Sequence, residues 1–91
     1  IDASGKLVLP GGVDAHCHLD QPMEEGLRMA DDFRSGTISA ACGGTTTVIP
    51  FAAQAKGGSL RAAVEDYHRR AEGKAVIDYA FHMIVSDPSE E

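Results

Sequence analysis

Two helix-like segments alternate with three strand-like segments along this chain, and that alternation restricts its possible folds more than any other feature. The strand-like segments are residues 13–18, 45–49 and 75–85. Strands that alternate with helices form parallel sheets, because each helix returns the chain to the end of the sheet where the next strand must begin. Strands that read as continuous apolar runs are buried on both faces. The sequence therefore predicts an α/β layer of three parallel strands and two helices.

Capping residues and glycines indicate where the two helices begin and end. Asp31 or Asp32 can cap a first helix that runs to about Cys42, where two glycines stop it. Ser59 can cap a second helix that ends at Gly73. The apolar residues of the second helix recur at helical spacing and predict its buried face: Leu60, Ala63, Val64, Tyr67 and Ala71.

Finer features of the strands and of the second helix follow from single residues. Pro50 cannot donate to a strand ladder, so we expect it to end the second strand. Glu65 lies four residues before Arg69. Asp66 stands in the same relation to Arg70, so both pairs should form ion pairs on the exposed helix face. The third strand-like segment is largely apolar, and we expect one continuous strand there.

Charge and cysteine content exclude several classes of partner and compartment. The net charge is −6, and the 8 Lys and Arg residues form no basic stripe, so nucleic acid is not an expected partner. No apolar run is long enough to span a bilayer, and no signal-peptide pattern opens the chain. Cys17 and Cys42 match no disulfide or zinc framework. We expect a soluble protein of the reducing cytoplasm.

The His16-Cys17-His18 motif at the end of the first strand is the strongest chemical signal in the sequence. Residues two apart on a strand point to the same face, so both imidazoles can converge on one ion. Neutral imidazole is a common ligand of zinc and similar divalent metals. Two core histidines bonded to backbone carbonyls are the alternative, and the bare pair does not decide between them.

The wider segment around this pair carries a family resemblance. Residues 9–20, which read LPGGVDAHCHLD, resemble the first-strand signature of the amidohydrolase superfamily, in particular the hydantoinase and dihydropyrimidinase family. Residues 30–33, 43–46 and 73–82 look like later stretches of that family in the same order. The resemblance thus covers nearly the whole chain.

The resemblance implies a fold and a division of the chain. The family is a (β/α)8 TIM-type barrel with a small β-sandwich built from both chain ends. Residues 1–9 look like the last piece of the sandwich, and residues 10–91 like the N-terminal part of the barrel, with about three strands and two helices. A complete barrel takes roughly 250 residues, so we expect this chain to be a piece of a longer protein. The resemblance also implies that the full-length protein is a homotetramer.

The resemblance also implies a metal centre and a reaction. His16 and His18 match two ligands of the more buried of two divalent metal ions, expected to be zinc. The other family ligands are a carboxylated lysine, two histidines and an aspartate, all expected outside residues 1–91. In the family a metal-bridging hydroxide attacks the ring carbonyl of a dihydropyrimidine or a 5-substituted hydantoin. No catalytic residue is expected within this chain, and the isolated fragment should be inactive.

Asp20 and Met23 are the candidate substrate contacts. Dihydroorotase resembles this pattern but has an Arg two residues after the second histidine, where it holds the substrate carboxylate. Asp20 occupies that position here and favours a neutral ring; a loop-capping role is the alternative. Met23 lies in the loop that gates the ring substituent in hydantoinases, although the loop could equally be a solvated connector.

Other polar residues have open alternatives. Asp14 should point the same way as the histidine pair, either orienting a His or buried among backbone donors. Cys17 should face the helices, and Cys42 should be a packing residue. His82 is a conceivable third ligand, but the family supplies none from this strand, which favours a barrel-interior or bonded core histidine. His68 is expected at the surface.

Two other functions compete with a hydantoinase or dihydropyrimidinase. One is an allantoinase-like amidohydrolase. The other is a non-catalytic relative that keeps the fold as a protein-interaction scaffold. Such relatives typically have lost metal ligands, so the presence of both His16 and His18 counts against a scaffold.

Overall fold

The computed structural model describes residues 1–88, and its central element is the strand β2. The strands are β1 (Gly12–Cys17), β2 (Thr45–Ala53), β3 (Asp78–Tyr79) and β4 (His82–Ile84). β1 pairs with one edge of β2, whereas β3 and β4 pair in succession with its other edge, and every pairing is parallel. Helices α1 (Phe33–Cys42) and α2 (Leu60–Ala71) provide the crossovers. Three neighbouring strand positions therefore follow chain order, as the (β/α) barrel prediction requires.

Asp32, rather than Asp31, caps helix α1. Its Oδ1 accepts the backbone N–H groups of Arg34 and Ser35, each at 2.8 Å, and Ser35 Oγ accepts the Asp32 N–H in return. Thr37 is fully buried one turn further on, and its hydroxyl donates to the Phe33 carbonyl at 2.5 Å. The same hydroxyl accepts the Val76 N–H at 3.1 Å, which attaches the helix to the chain just before β3.

Helix α2 begins after Ser59, as predicted, and Ser59 Oγ accepts the Ala62 N–H. The predicted apolar face is confirmed, since Tyr67 and Ala71 are buried and the other members are half-buried. Neither helix in residues 1–88 is long and apolar enough to cross a membrane.

One of the two ion pairs predicted on α2 is confirmed and the other is wrong. Arg70 Nε lies 2.6 Å from Asp66 Oδ2. Arg69 also pairs with Asp66, at 3.2 Å, rather than with Glu65. Residues three apart are helix neighbours just as residues four apart are, so Asp66 can receive both guanidinium groups.

Pro50 does not end β2, and that prediction is wrong. The strand continues through Pro50 to Ala53. β3 pairs with β2 as far as Tyr79, opposite Val48, and β4 pairing resumes at His82, opposite Phe51. The proline therefore lies opposite the two residues that separate β3 from β4. Its missing N–H falls where the neighbouring strand is interrupted, and for the same reason the predicted continuous third strand is two short pieces.

The core lies between β2 and the two helices. Phe33, Ala52, Tyr67 and Ala71 form a buried cluster, and half-buried apolar residues pack against it: Leu19, Tyr79, Phe81 and Met83. The prediction that the strands are buried on both faces is wrong for β1, which is exposed along nearly its whole length. Within the described residues the helices cover one face of the sheet, so the opposite face is open.

Residues 1–9 contain a turn and no strand. The Lys6 N–H donates to the Ala3 carbonyl at 3.0 Å, and Gly5 has a φ of 72°. A β-sandwich segment requires neighbouring strands, and none pairs with residues 1–9 in the described part of the chain. The assignment of these residues to a sandwich stays a prediction.

The exposed strand edges predict the behaviour of the 91-residue chain in isolation. Val13 is 62% exposed and Val76 is 50% exposed, and β1 has a free edge. Such edges and apolar surfaces promote association. In dilute solution we expect the chain to self-associate or to remain partly unfolded, as measured by sedimentation velocity and thermal circular dichroism. A monomer with one sharp, cooperative unfolding transition would contradict this expectation.

Candidate metal centre on the first strand

His16 and His18 point to the same face of the sheet, as the strand period predicts. Their ring centroids are 5.8 Å apart, with an angle of 70° between the planes, and both side chains are exposed. Phe51 of β2 lies beneath both rings, with centroids 4.6 Å from His16 and 5.3 Å from His18. The phenyl ring therefore gives the pair an apolar floor and restricts how far each imidazole can turn.

Gln21 fixes the protonation pattern of His18. Its Oε1, which can only accept, lies 2.5 Å from Nδ1 of His18, so Nδ1 carries the proton. In a neutral imidazole this leaves the Nε2 lone pair for a cation, and groups that bond the other ring nitrogen orient metal-bound histidines in this way. The Gln21 backbone N–H in turn donates to Met29 Sδ at 3.2 Å. Sequence reasoning missed Gln21, although an amide three residues after a candidate ligand was a usable signal.

The Asp14 side chain forms a hydrogen bond with the backbone and not with an imidazole ring. Its Oδ1 accepts the His16 N–H at 3.0 Å, and its side chain is exposed. Of the two alternatives, bonding to a backbone donor is therefore observed, but without the burial that was expected.

His82 reaches the open face of the sheet from β4. Its Nε2 lies 2.9 Å from the Ala15 carbonyl oxygen, and its ring lies 4.9 Å from Phe51. The carbonyl accepts from Nε2, so this nitrogen is not available as a metal ligand in this arrangement. His68, by contrast, is exposed on α2 and packs its ring edge-on against Phe81 at 4.9 Å.

Cys17 is half-buried, whereas His16 and His18 on either side of it are exposed. Burial raises the pKa of the Cys17 thiol, and the nearby Asp14 carboxylate raises it further. A metal binds the thiolate, so this environment disfavours Cys17 as a ligand at neutral pH. Cys42 is a free thiol exposed near the end of α1.

Asp20 lies at the turn that follows the histidine pair, and its charge is directed toward helix α2. Its Oδ2 is 3.7 Å from an amino group of Arg70, and both side chains are about one-third exposed. Its backbone N–H donates to the Asp31 carbonyl at 3.1 Å. The guanidinium offsets part of the negative charge that was expected to repel an anionic substrate.

Met23 lies beside the histidine pair, in the loop between β1 and α1. It is 53% exposed and shares the lining of a cavity of about 340 Å³ with His18, Gln21 and Met29. This cavity combines a candidate metal ligand with two flexible thioethers, so it can accept an apolar group of variable shape next to a polar centre.

The described residues supply only part of a metal site. Within residues 1–88, no three His, Cys, Asp or Glu side chains are arranged to hold an ion. A zinc site takes four ligands, of which a catalytic site draws about three from the protein. The placement of His16 and His18 on one face is compatible with two such ligands, and a complete site would need further ligands from outside the described residues.

Comparison with known proteins identifies the family. A family model described as the amidohydrolase family matches residues 1–83. The chain belongs to the amidohydrolase family. The D-hydantoinase of Streptomyces coelicolor is 55% identical over 91 residues, which are all of this amidohydrolase chain and 19% of that protein. The chain therefore spans about a fifth of the length of such relatives.

Solved structures place the amidohydrolase chain within the hydantoinase and dihydropyrimidinase family. The dihydropyrimidinase of Brevibacillus agri NCHU1002 matches 99% of the chain at 50% identity with a TM-score of 0.92. A D-hydantoinase from Bacillus sp. AR9 matches 99% at 49% identity, also with a TM-score of 0.92. In each case the match covers 19% of the solved chain. The resemblance inferred from the His16–His18 segment is confirmed, and the fold is a partial (β/α) barrel.

The two thiols of the amidohydrolase chain should differ in reactivity. The thiolate is the reactive form, so the raised pKa and partial burial of Cys17 should make it react more slowly than Cys42. Limited labelling with iodoacetamide at pH 8, read by peptide mass spectrometry, should modify Cys42 first. Raising the pH should narrow the difference, whereas faster labelling of Cys17 at pH 8 would contradict the assigned environment.

Proposed function

We propose that this chain is the N-terminal, metal-binding part of a hydrolase that opens the cyclic amide ring of dihydropyrimidines or 5-substituted hydantoins. The observation that carries the proposal is the convergent His16–His18 pair, with Nδ1 of His18 bonded to Gln21. The identity to a D-hydantoinase over the whole chain supports the same reaction.

In this proposal His16 and His18 would hold the more buried of two divalent ions, which we take to be zinc. A carboxylated lysine, two histidines and an aspartate from later strands would complete the centre. Such ions lower the pKa of bound water and polarise the amide oxygen. In this proposal the present residues would bind and orient one ion. Both imidazoles would be its ligands, and Gln21 would hold the His18 proton on Nδ1. Phe51 would keep water from one side of the pair.

Asp20 and Met23 are the proposed substrate contacts, and their chemistry favours a neutral ring. Arg70 is the only cation beside Asp20 among the ion pairs of the described residues, and its guanidinium also binds Asp66. The Arg70 guanidinium is thus shared between two carboxylates, whereas dihydroorotase offers an Arg to its substrate carboxylate. Met23 would contact the ring substituent through the cavity that it shares with His18.

We also propose that the complete protein is a cytoplasmic homotetramer. The family resemblance supports the assembly. The free thiols of Cys17 and Cys42 are compatible with a reducing compartment.

A chimera tests the role of the histidine pair. Residues 1–91 replace the matching segment of the S. coelicolor D-hydantoinase, which supplies the later strands. Combining His16→Ala with His18→Ala should remove bound metal and reduce hydantoin turnover by more than about 100-fold, because loss of a group that only orients a ligand already costs about 10–100-fold. Metal content is measured by mass spectrometry of the purified protein, and His68→Gln is the matched control on the outer helix.

Two results of the chimera experiment would contradict the role given to the pair. One is unchanged metal content and turnover in the double variant. The other is a folded parent chimera that binds no metal. The scaffold and allantoinase alternatives depend on the later strands, so they are tested by assaying the full-length protein with allantoin and with a hydantoin.

Substrate charge provides a second test. Two like charges 4 Å apart interact by about 4 kcal/mol at an effective dielectric constant of 20. Arg70 offsets part of this repulsion, so the chimera should favour dihydrouracil over dihydroorotate by at least about tenfold in kcat/KM. Asp20→Asn should narrow that ratio. Met23→Ala carries no change in charge and should leave the ratio unaltered while changing the preference among hydantoin substituents. A preference for dihydroorotate would contradict the neutral-ring assignment.

A further inference from the structure

The backbone at Asp20 is held in an unfavourable conformation. Asp20 has a φ of 47°, the one positive φ of a non-glycine residue within residues 1–88. Asp tolerates the left-handed region better than most residues with a β-carbon, but the conformation still costs free energy, and such residues gather at functional sites. Asp20 lies two residues after His18 and one before Gln21, so its conformation decides how the chain leaves the candidate metal centre.

Contacts from both helices hold Asp20. Its N–H donates to the Asp31 carbonyl at 3.1 Å, just before α1. Its own carbonyl accepts a bond of 3.1 Å from an amino group of Arg70, near the end of α2. The same amino group lies 3.7 Å from the Asp20 carboxylate. Arg70 is 50 residues away in sequence, and it contacts both the backbone and the side chain of the strained residue.

Contacts with other residues of α2 fix the orientation of the Arg70 side chain. Its Nε donates to Asp66 Oδ2 at 2.6 Å, and its guanidinium carbon lies 5.7 Å from the ring centroid of the buried Tyr67. The hydrogen bond from Arg70 lowers the pKa of the Asp66 carboxyl, in keeping with a persistent ion pair. The guanidinium fork is therefore oriented by α2, and Asp20 is the group that conforms to it.

We propose that Arg70 is a positioning residue of the metal centre, which acts by holding Asp20 in its left-handed conformation. Leu19, the residue before Asp20, is anchored independently, because its Cδ2 packs on α1 within 2.4 Å of where a β-carbon at Gly36 would lie. Loss of Arg70 should therefore leave β1 in place and release the chain from Asp20 onward. The Gln21 amide would then move away from Nδ1 of His18, and the imidazole would lose its fixed tautomer and direction. The inference rests on the proposed function, because it gives His18 a metal to bind.

Arg69 provides a matched control for Arg70. It is the adjacent residue, carries the same charge and also pairs with Asp66, at 3.2 Å. Its side chain is 67% exposed, and the contact to Asp20 is made by Arg70. Arg69→Gln and Arg70→Gln thus make the same chemical change to one helix, but only the second removes the support of Asp20.

The experiment measures metal affinity in the metal-loaded chimera by competition with a chelator. Arg70→Gln should weaken metal binding by about tenfold or more, the range found for loss of groups that orient ligands. Arg69→Gln should stay within about twofold. Arg70→Lys keeps the charge but loses the fork that reaches Asp66 and Asp20 together, so it should recover only part of the affinity.

Repeating the Arg70 substitution in an Asp20→Gly variant tests whether Arg70 acts through Asp20. Glycine adopts a left-handed backbone without steric strain. In an Asp20→Gly background, Arg70→Gln should therefore change metal affinity by no more than about twofold, because interacting residues are non-additive. Equal losses in both backgrounds, or no loss from Arg70→Gln in the parent, would overturn the proposal.

A metal-independent measurement separates this proposal from the proposed function. Amide exchange at Asp20 reports whether its bond to the Asp31 carbonyl persists, and it should accelerate by about tenfold in Arg70→Gln and remain unchanged in Arg69→Gln. If the parent chimera binds no metal, the proposed function fails while accelerated exchange still supports the hold on Asp20. If exchange is unchanged in Arg70→Gln, the inference fails whatever the metal content.

Discussion

The parallel pairing of β1 with β2 is the contact on which the candidate metal centre depends. No helix packs along most of β1, and its residues are exposed except for the half-buried Cys17. Its position is fixed by the ladder to β2, which also carries Phe51 to the place beneath His16 and His18. Both helices and the third strand position attach to β2 as well. The chemistry at the end of β1 is thus supported by a strand that contributes no ligand.

Local signals predicted much of the architecture. Asp32 and Ser59 cap the helices because a short oxygen-bearing side chain can satisfy the first free N–H groups whatever the rest of the fold does. The placement of His16 and His18 on one face follows from the two-residue period of a strand, which is equally local. These features needed no knowledge of neighbouring elements, and the structure agrees with them.

Features that depend on a neighbouring element were not predictable in the same way. The position of Pro50 inside β2 is allowed by a break in the adjacent strand, and no local rule for proline contains that information. The contact of Arg70 with Asp20 joins residues from two different β/α units, so it depends on how those units pack. Gln21 is an intermediate case, since it is near His18 in sequence but meets it only because the chain turns sharply at Asp20.

The contact between His82 and the Ala15 carbonyl has a consequence for the curvature of the sheet. β1 and β4 lie on opposite edges of β2, and strands two positions apart in a flat sheet are separated by roughly 9.5 Å. An imidazole bridges that span at a hydrogen-bonding distance of 2.9 Å only if the sheet is bent toward the face that carries the histidines. This face is therefore concave, as the inside of a cylinder is. The bending that a barrel needs in order to close is already established by its first three strand positions.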